Sequence, residues 1–155
     1  MTTKEVSPPD SWKRPESVLV VVYTAVGEVL LLQRADQTQA WQSVTGSMRW
    51  NETSPKDTAR RELLEETGLS AGDRLHDCNQ KNRYPIHPLW KPRYRPDETH
   101  NIEHVFSLEL PDRQQIKVNP QEHSGYCWKP YAQALQLVRF ETNRAAIETL
   151  MNSDP

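Results

Sequence analysis

The run Arg61-Glu62-Leu63-Leu64-Glu65-Glu66 concentrates the groups of this chain most able to do chemistry. Glu62, Glu65 and Glu66 stand at i, i+3 and i+4, so on a helix they share one face. Like charges at that spacing repel by a few tenths of a kcal/mol per pair, roughly, and Arg61 offsets one of them at most. A divalent cation resolves the repulsion. Mg²⁺ takes oxygen ligands and is typically held by one or two carboxylates together with substrate phosphates. The chemistry on offer is metal-assisted hydrolysis of a polyphosphate. Taken alone, though, the same carboxylates are better explained as a solvated acidic face. Cys78 and Cys127 have no adjacent base, so a thiol nucleophile is not expected.

These groups need a helix and neighbouring strands to hold them. Ser54-Pro55 supplies an N-cap hydroxyl and a proline at the first helical position, with Asp57 in the first turn. Ala59, Leu63 and Leu64 give an apolar stripe. Gly68 stops the helix in the left-handed conformation that glycine permits. A helix is thus predicted over about 54–67. Upstream, Val18–Tyr23 is short, β-branched and continuously apolar, which predicts a strand buried on both faces. Val29–Gln33 reads as a second strand, with Gly27 and Glu28 in the turn of a hairpin. Trp41–Thr45 reads as a short third strand ending at Gly46. Downstream, Pro85, Pro88, Pro92 and Pro96 interrupt the stretch 74–99. Its RYPIHPLWKPRY run mixes basic and aromatic residues and suits a loop lining a pocket. Ile102–Leu110 alternates as a strand, and Gly125–Lys129 reads as another. Tyr131–Val138 and Thr142–Met151 read as helices.

The stretch Gly46–Leu69 resembles the Nudix box: a glycine, a glutamate, then Arg-Glu-hydrophobic-x-Glu-Glu-x-Gly-hydrophobic. The second half is intact here as Arg61-Glu62-Leu63-Leu64-Glu65-Glu66-Thr67-Gly68-Leu69. So many matched positions displace the solvated-face explanation. Two departures concern Glu52. The segment Thr53–Arg60 between it and Arg61 is one residue longer than usual, and Asn51 stands where a glycine is common. Both leave the helix register untouched. The resemblance implies an α/β fold, a Nudix-type α/β/α sandwich with a mixed sheet between helices. It implies that Glu62, Glu65 and Glu66 bind Mg²⁺, with Mn²⁺ as the alternative cation. Arg61 would pair with a box carboxylate and orient it. Glu52 would help to fix the loop or a metal.

The flanks carry a closer resemblance. Lys13-Arg14-Pro15, Leu30–Arg34, Trp41–Ser47, Glu122-His123 with Tyr126 and Trp128, and Thr142–Glu148 resemble, in order and combination, a bacterial branch of the family that acts on dihydroneopterin triphosphate. This implies substrate contacts at Lys13, Arg34 and Thr45. It also implies that Glu122 joins the metal site or serves as base for the attacking water, with Glu62 and Glu65 as rival bases. His123 reads as a packing or surface histidine. Trp41, Tyr84, Trp90, Tyr94 and Phe140 are equal candidates to stack on a ring. The implied reaction is hydrolysis to a monophosphate and pyrophosphate, within folate biosynthesis, by a monomer or homodimer. The alternatives are a broader (deoxy)nucleoside triphosphate pyrophosphohydrolase, another Nudix hydrolase, or a non-catalytic nucleotide-binding module.

Composition sets outer bounds. The 155 residues suit one domain, expected over 13–155 behind a flexible arm at 1–12. Nineteen Lys+Arg against 21 Asp+Glu give a net charge of −2. That balance argues against bulk binding to a nucleic-acid polymer while allowing a local basic pocket. Two cysteines are too few for a disulfide framework or a structural zinc site. The longest apolar run, Val18–Tyr23, is far below the ~20 residues that span a bilayer. The opening MTTKEVSPPDSWKRP lacks the apolar run of a signal peptide. A cytoplasmic location with no membrane partner is expected.

Overall fold

The apolar run read as a doubly buried strand forms the middle of β1 (Glu16–Thr24), where Val18 to Val22 are all at most 1 % exposed. Such a strand needs a covering layer on each side. The computed structural model supplies both, and describes residues 12–36 and 40–153. β1 turns through Gly27, at φ 89°, into β2 (Glu28–Arg34). The two strands pair only beside the turn, at Tyr23↔Val29, and then diverge. The short strand β4 (Val44–Ser47) fills the gap, antiparallel to the first half of β1. On its other edge β1 pairs with β6 (His100–Leu110), parallel along its full length. β7 (His123–Pro130) lies antiparallel along one whole edge of β2. β3 (Trp41–Gln42) pairs with Leu32 and Gln33 of the opposite edge. β5 (His76–Pro85) closes the sheet outside β6.

Alternate residues of this mixed sheet feed two cores. Val18, Val20, Leu30, Leu32, Val44 and Phe106 pack with Ala59 and Leu63 of α1 (Pro55–Thr67). Leu19, Val21, Leu31 and Val105 pack with Ala134, Ala146 and Ile147 of α2 (Tyr131–Leu137) and α3 (Glu141–Ser153). Each fully buried large aliphatic or aromatic side chain contributes about 1.5–3 kcal/mol. The expected α/β/α sandwich is the observed architecture. No helix among the described residues is long and apolar enough to cross a membrane.

The ends of α1 follow the residues read for them. Ser54 Oγ accepts a hydrogen bond from Asp57 N at 3.3 Å, and Pro55 opens the helix. Gly68, at φ 79°, donates its N–H to Leu64 O at 2.9 Å. The stripe is rotated from the expected one. Its buried members are Thr58, Ala59, Glu62, Leu63, Glu66 and Thr67, while Leu64 is 54 % exposed. A 3.6-residue period that runs through Ala59, Leu63 and Glu66 leaves position 64 outside.

Two other expectations change. Trp41–Thr45 is not one strand: it breaks at Ser43, whose N–H donates to Asn143 Oδ1 of α3 at 2.7 Å instead of to a neighbouring strand. The stretch 74–99 is not all loop, because His76–Pro85 is β5, bulged around Asn79 at φ 54°. The expected N-terminal arm falls, apart from Trp12, outside the described residues. Trp12 O accepts from Trp50 Nε1 at 2.7 Å.

Candidate active site

The site begins where β4 meets α1. An added Cβ at Gly46 would lie 2.0 Å from Glu62 Cδ, so only a glycine leaves room for the Glu62 side chain where it lies. Glu62 and Glu66 are both out of water there, at 8 % and 2 % exposure. Glu65 stays exposed at the rim, held by Arg61 at 3.3 Å and Arg49 at 3.4 Å. Arg61 is the organiser. Its Nε and one terminal nitrogen each donate to a Glu52 oxygen at 2.8 Å, and its other terminal nitrogen reaches Glu62 at 3.1 Å.

The Glu52 clamp answers the question raised by the longer box. From the loop before α1, Glu52 turns back to Arg61. Arg49 N donates to Glu52 Oε1 at 2.7 Å, and Arg14 donates to Glu52 O at 2.7 Å. The Arg61 guanidinium, together with the Arg49 amide, holds the Glu52 carboxyl at about 2. Glu52 therefore fixes the loop, as one half of the expectation had it.

The buried carboxylates behave oppositely. Burial pushes Glu66 well above the usual carboxylate range, and the charges of Glu62 and Glu122 push the same way. Burial also raises Glu62, against the pull of its contact with Glu66 and of Arg61. Glu66 Oε1 is buried without a hydrogen-bond partner among the described residues. An orphaned carboxylate oxygen beside a second carboxylate is the donor set that a hard divalent cation satisfies.

β7 brings the remaining groups. Asn119 closes a turn in which its O accepts from Glu122 N at 3.0 Å and His123 N at 2.8 Å. The Asn119 side chain caps the same turn by accepting from Gln121 N at 3.1 Å. This places Glu122, exposed, and His123, 3 % exposed, against Glu66. One ligand atom from each of Glu66, Glu122 and His123 lies within 4.8 Å of the others. Burial, then the charge of Arg34, pushes His123 down to about 4. The ring is neutral at ordinary pH, so its Nε2, 3.9 Å from Glu66 Oε1, makes no ion pair. From sequence, His123 is expected to be a packing or surface residue. It is buried, but facing the carboxylates; the only sequence signal was its position next to Glu122.

Lys13, Arg34 and Thr45 lie in the same cleft, of about 780 Å³, as Arg61, Glu62, Glu65, Glu66 and Glu122. The residues expected to bind the metal or the phosphate chain are thus brought together in one cleft. Lys13 Nζ sits 5.9 Å from the centre of the Tyr94 ring. Burial lowers its pKa, with Arg93 and Arg34 adding to the effect. Among the described residues no carboxylate pairs with it. Arg34 is more committed: it grips both Asp36 oxygens at 2.8 Å and lies 5.3 Å over Trp90. Thr45 Oγ1 accepts from Gln42 at 3.3 Å. Tyr84, Trp90, Tyr94 and Phe140 line the cleft. Trp41 does not; it packs against the α2–α3 core.

A sandwich whose helix turns buried carboxylates toward a cleft holding an unpaired lysine is built to take a cation and an anionic chain together. The chain belongs to the NUDIX domain family, whose model matches residues 13–150. It is 40 % identical over 141 residues to the dihydroneopterin triphosphate diphosphatase of Haemophilus influenzae, covering 88 % of this chain and 87 % of that one. It is 33 % identical over 120 residues to the RNA pyrophosphohydrolase of Erythrobacter litoralis, covering 70 % and 71 %. The solved structure of the E. coli dihydroneopterin triphosphate pyrophosphohydrolase matches with a TM-score of 0.83 at 39 % identity, covering 92 % of this chain and 99 % of that one.

Proposed function

We propose that this chain hydrolyses dihydroneopterin triphosphate to dihydroneopterin monophosphate and pyrophosphate. One observation carries the reading: the buried Glu62–Glu66 pair, the unpaired Lys13 and an aromatic-walled recess share one cleft in a chain 40 % identical to an enzyme of that name. Glu62 and Glu66 would hold Mg²⁺, or Mn²⁺ in its place, with Glu65 at the rim and Glu122 and His123 adjacent. When bound, the cation neutralises phosphate charge and lowers the pKa of the attacking water. The protein's own groups do the rest by positioning and electrostatics. Lys13 and Arg34 hold the phosphate chain, and Thr45 orients it. Arg61, clamped by Glu52, keeps Glu62 from swinging out. Glu122 accepts the proton of the attacking water, since Glu62 and Glu65 are both engaged by Arg61. The new P–O bond forms as the bridging P–O bond breaks, and pyrophosphate leaves. Action in the cytoplasm, by a monomer or homodimer, accords with so small and soluble a substrate.

The test is a substrate panel with product identification. kcat/KM for dihydroneopterin triphosphate should exceed the values for dATP, ATP and 8-oxo-dGTP, and EDTA should abolish turnover. A clear preference for a nucleotide refutes the pterin reading and leaves the family membership standing. Glu66→Gln should remove nearly all pyrophosphate release while melting as a folded protein.

A further inference from the structure

Beyond the carboxylates of α1, the cleft holds a second buried acid. Glu103 is 3 % exposed on β6, and its neighbour on the same strand face, Asn101, is 4 % exposed. The register sets Ser17 and Asn82 beside Glu103, and Tyr84 beside Asn101, so one corner of the sheet face is wholly polar. One rung further the same face becomes Leu19 and Val105, part of the core. Burial raises the pKa of Glu103, and the other groups acting on it among the described residues are the neutral Asn82, Thr142 and Tyr84, with no cation among them. Asn82 Nδ2 donates to it at 3.3 Å, and the hydroxyls of Thr142 and Tyr84 are its other hydrogen-bonding neighbours. Asn101 gives both N–H groups away, to Ser17 Oγ at 2.8 Å and Tyr84 Oη at 3.0 Å, while its buried Oδ1 has no partner among the described residues. The cleft thus holds a buried amide oxygen with no partner among the described residues beside a carboxylate served by neutral donors alone. Burying them in that state is unfavourable unless a ligand completes them.

A ligand with adjacent N–H donors on a flat edge would complete these acceptors. A 2-amino-4-oxopyrimidine ring does so through its amino group and the neighbouring ring N–H, which match the two oxygens of one carboxylate. An adenine edge offers a donor beside an acceptor, and its acceptor would face a carboxylate oxygen. We infer that Glu103 is the specificity-determining residue of this site, accepting both N–H groups of the substrate's 2-amino-4-oxopyrimidine edge, with Asn101 Oδ1 taking a further ring donor. The inference rests on the proposed pterin substrate for its ligand, but the edge it names is also that of guanine.

The experiment compares full-length wild type and Glu103→Gln with Mg²⁺ on dihydroneopterin triphosphate, GTP and ATP, with thermal melts of both. Glutamine keeps the shape but sets an N–H against a ring N–H. Two charge-assisted hydrogen bonds lost translate to a fall of about 100-fold in kcat/KM for dihydroneopterin triphosphate and GTP. ATP hydrolysis should change by less than about threefold. The variant should melt no lower than wild type, since it sheds a buried unbalanced charge. Equal losses on all three substrates with a lowered Tm would make Glu103 a residue of the fold and overturn the inference. Unchanged activity of the variant on dihydroneopterin triphosphate would overturn it while leaving the substrate reading intact. A wild type that prefers GTP, with the selective loss in Glu103→Gln preserved on GTP against ATP, would refute the pterin reading and uphold Glu103.

Discussion

Replacing Gly46 with alanine should disable the site while leaving the sandwich folded. The new Cβ would stand 2.0 Å from Glu62 Cδ, 2.1 Å from its Oε2 and 2.5 Å from its Cγ. Carbon atoms rest at about 3.5–4.0 Å, so Glu62 must retreat by roughly 1.5 Å. Because Cγ is also too near, turning the carboxylate is not enough; the whole side chain has to swing. The flexible side chain gives way before the backbone does, and the stability loss stays near 1–3 kcal/mol, the usual range for overpacking. At about 2–4 °C per kcal/mol for a chain of this size, Tm falls by several degrees. A displacement of about 1 Å at reacting groups lowers rates on the order of 100-fold, so kcat/KM for pyrophosphate release should drop at least that far. Glu62→Ala in the same background removes the clash, so the double variant should regain the lost Tm without regaining activity, a non-additive pair. Gly46→Ala enzyme working within about threefold of wild type would refute the reasoning, because Glu62 would then not need its observed place.

Lys13→Ala should raise KM for the triphosphate about tenfold or more with little change in kcat, as expected for loss of one charge-assisted contact; steady-state kinetics at two salt concentrations check it. Arg61→Lys keeps the charge but cannot grip both Glu52 oxygens. It should lower kcat about 10- to 100-fold, the usual effect of disturbing a group that orients a metal ligand, and the 31P-detected product ratio should be unchanged. In EDTA, pH acts through the buried carboxylates, Glu66 foremost. Its folded pKa is raised above the ordinary 4.5, so the folded state binds the proton more tightly and stability falls as pH rises beyond that value. Melts from about pH 5 to about pH 8 should therefore show a declining Tm, with a shallower decline in Glu66→Gln; equal slopes would exclude Glu66 as the source. Gly68→Ala forces a side chain into a φ of 79° and should cost about 1 kcal/mol, read as a Tm lower by a few degrees with kcat unaffected.

What the sequence made legible followed from how local each signal is. Ser54, Pro55 and Gly68 delimit α1 because caps act within one turn. Helical spacing put the carboxylates of that helix side by side, but the resemblance to the box, not the spacing, named them as a site. The break at Ser43 could not be read, because it is imposed by Asn143 from the far end of the chain. β5 was hidden for a different reason. It is an edge strand whose residues alternate between exposed and half-buried, so HDCNQKNRYP lacks an apolar face to betray it. Its inward members, Asn82 and Tyr84, face Glu103 and Asn101 instead of core. The depth of His123 and the clamp on Glu52 are likewise products of tertiary contact: each depends on a partner brought in from another element.

The pairing of β1 with β6 bears on how the protein is made. That ladder runs from Glu16↔Ile102 to Thr24↔Leu110, with β4, α1 and β5 all in the intervening chain. Contacts so distant in sequence are slow to form, because a long loop must close before any of them is rewarded. During synthesis, which proceeds from the N-terminus, α1 leaves the ribosome with its glutamates well before β6 exists to complete the sheet beneath them. Assembly of the carboxylate cluster, which needs β7 for Glu122 and His123, falls later still. A nascent chain of this protein therefore spends its early life as a hairpin and an acidic helix without a floor, and acquires its chemistry only when nearly the whole chain has emerged.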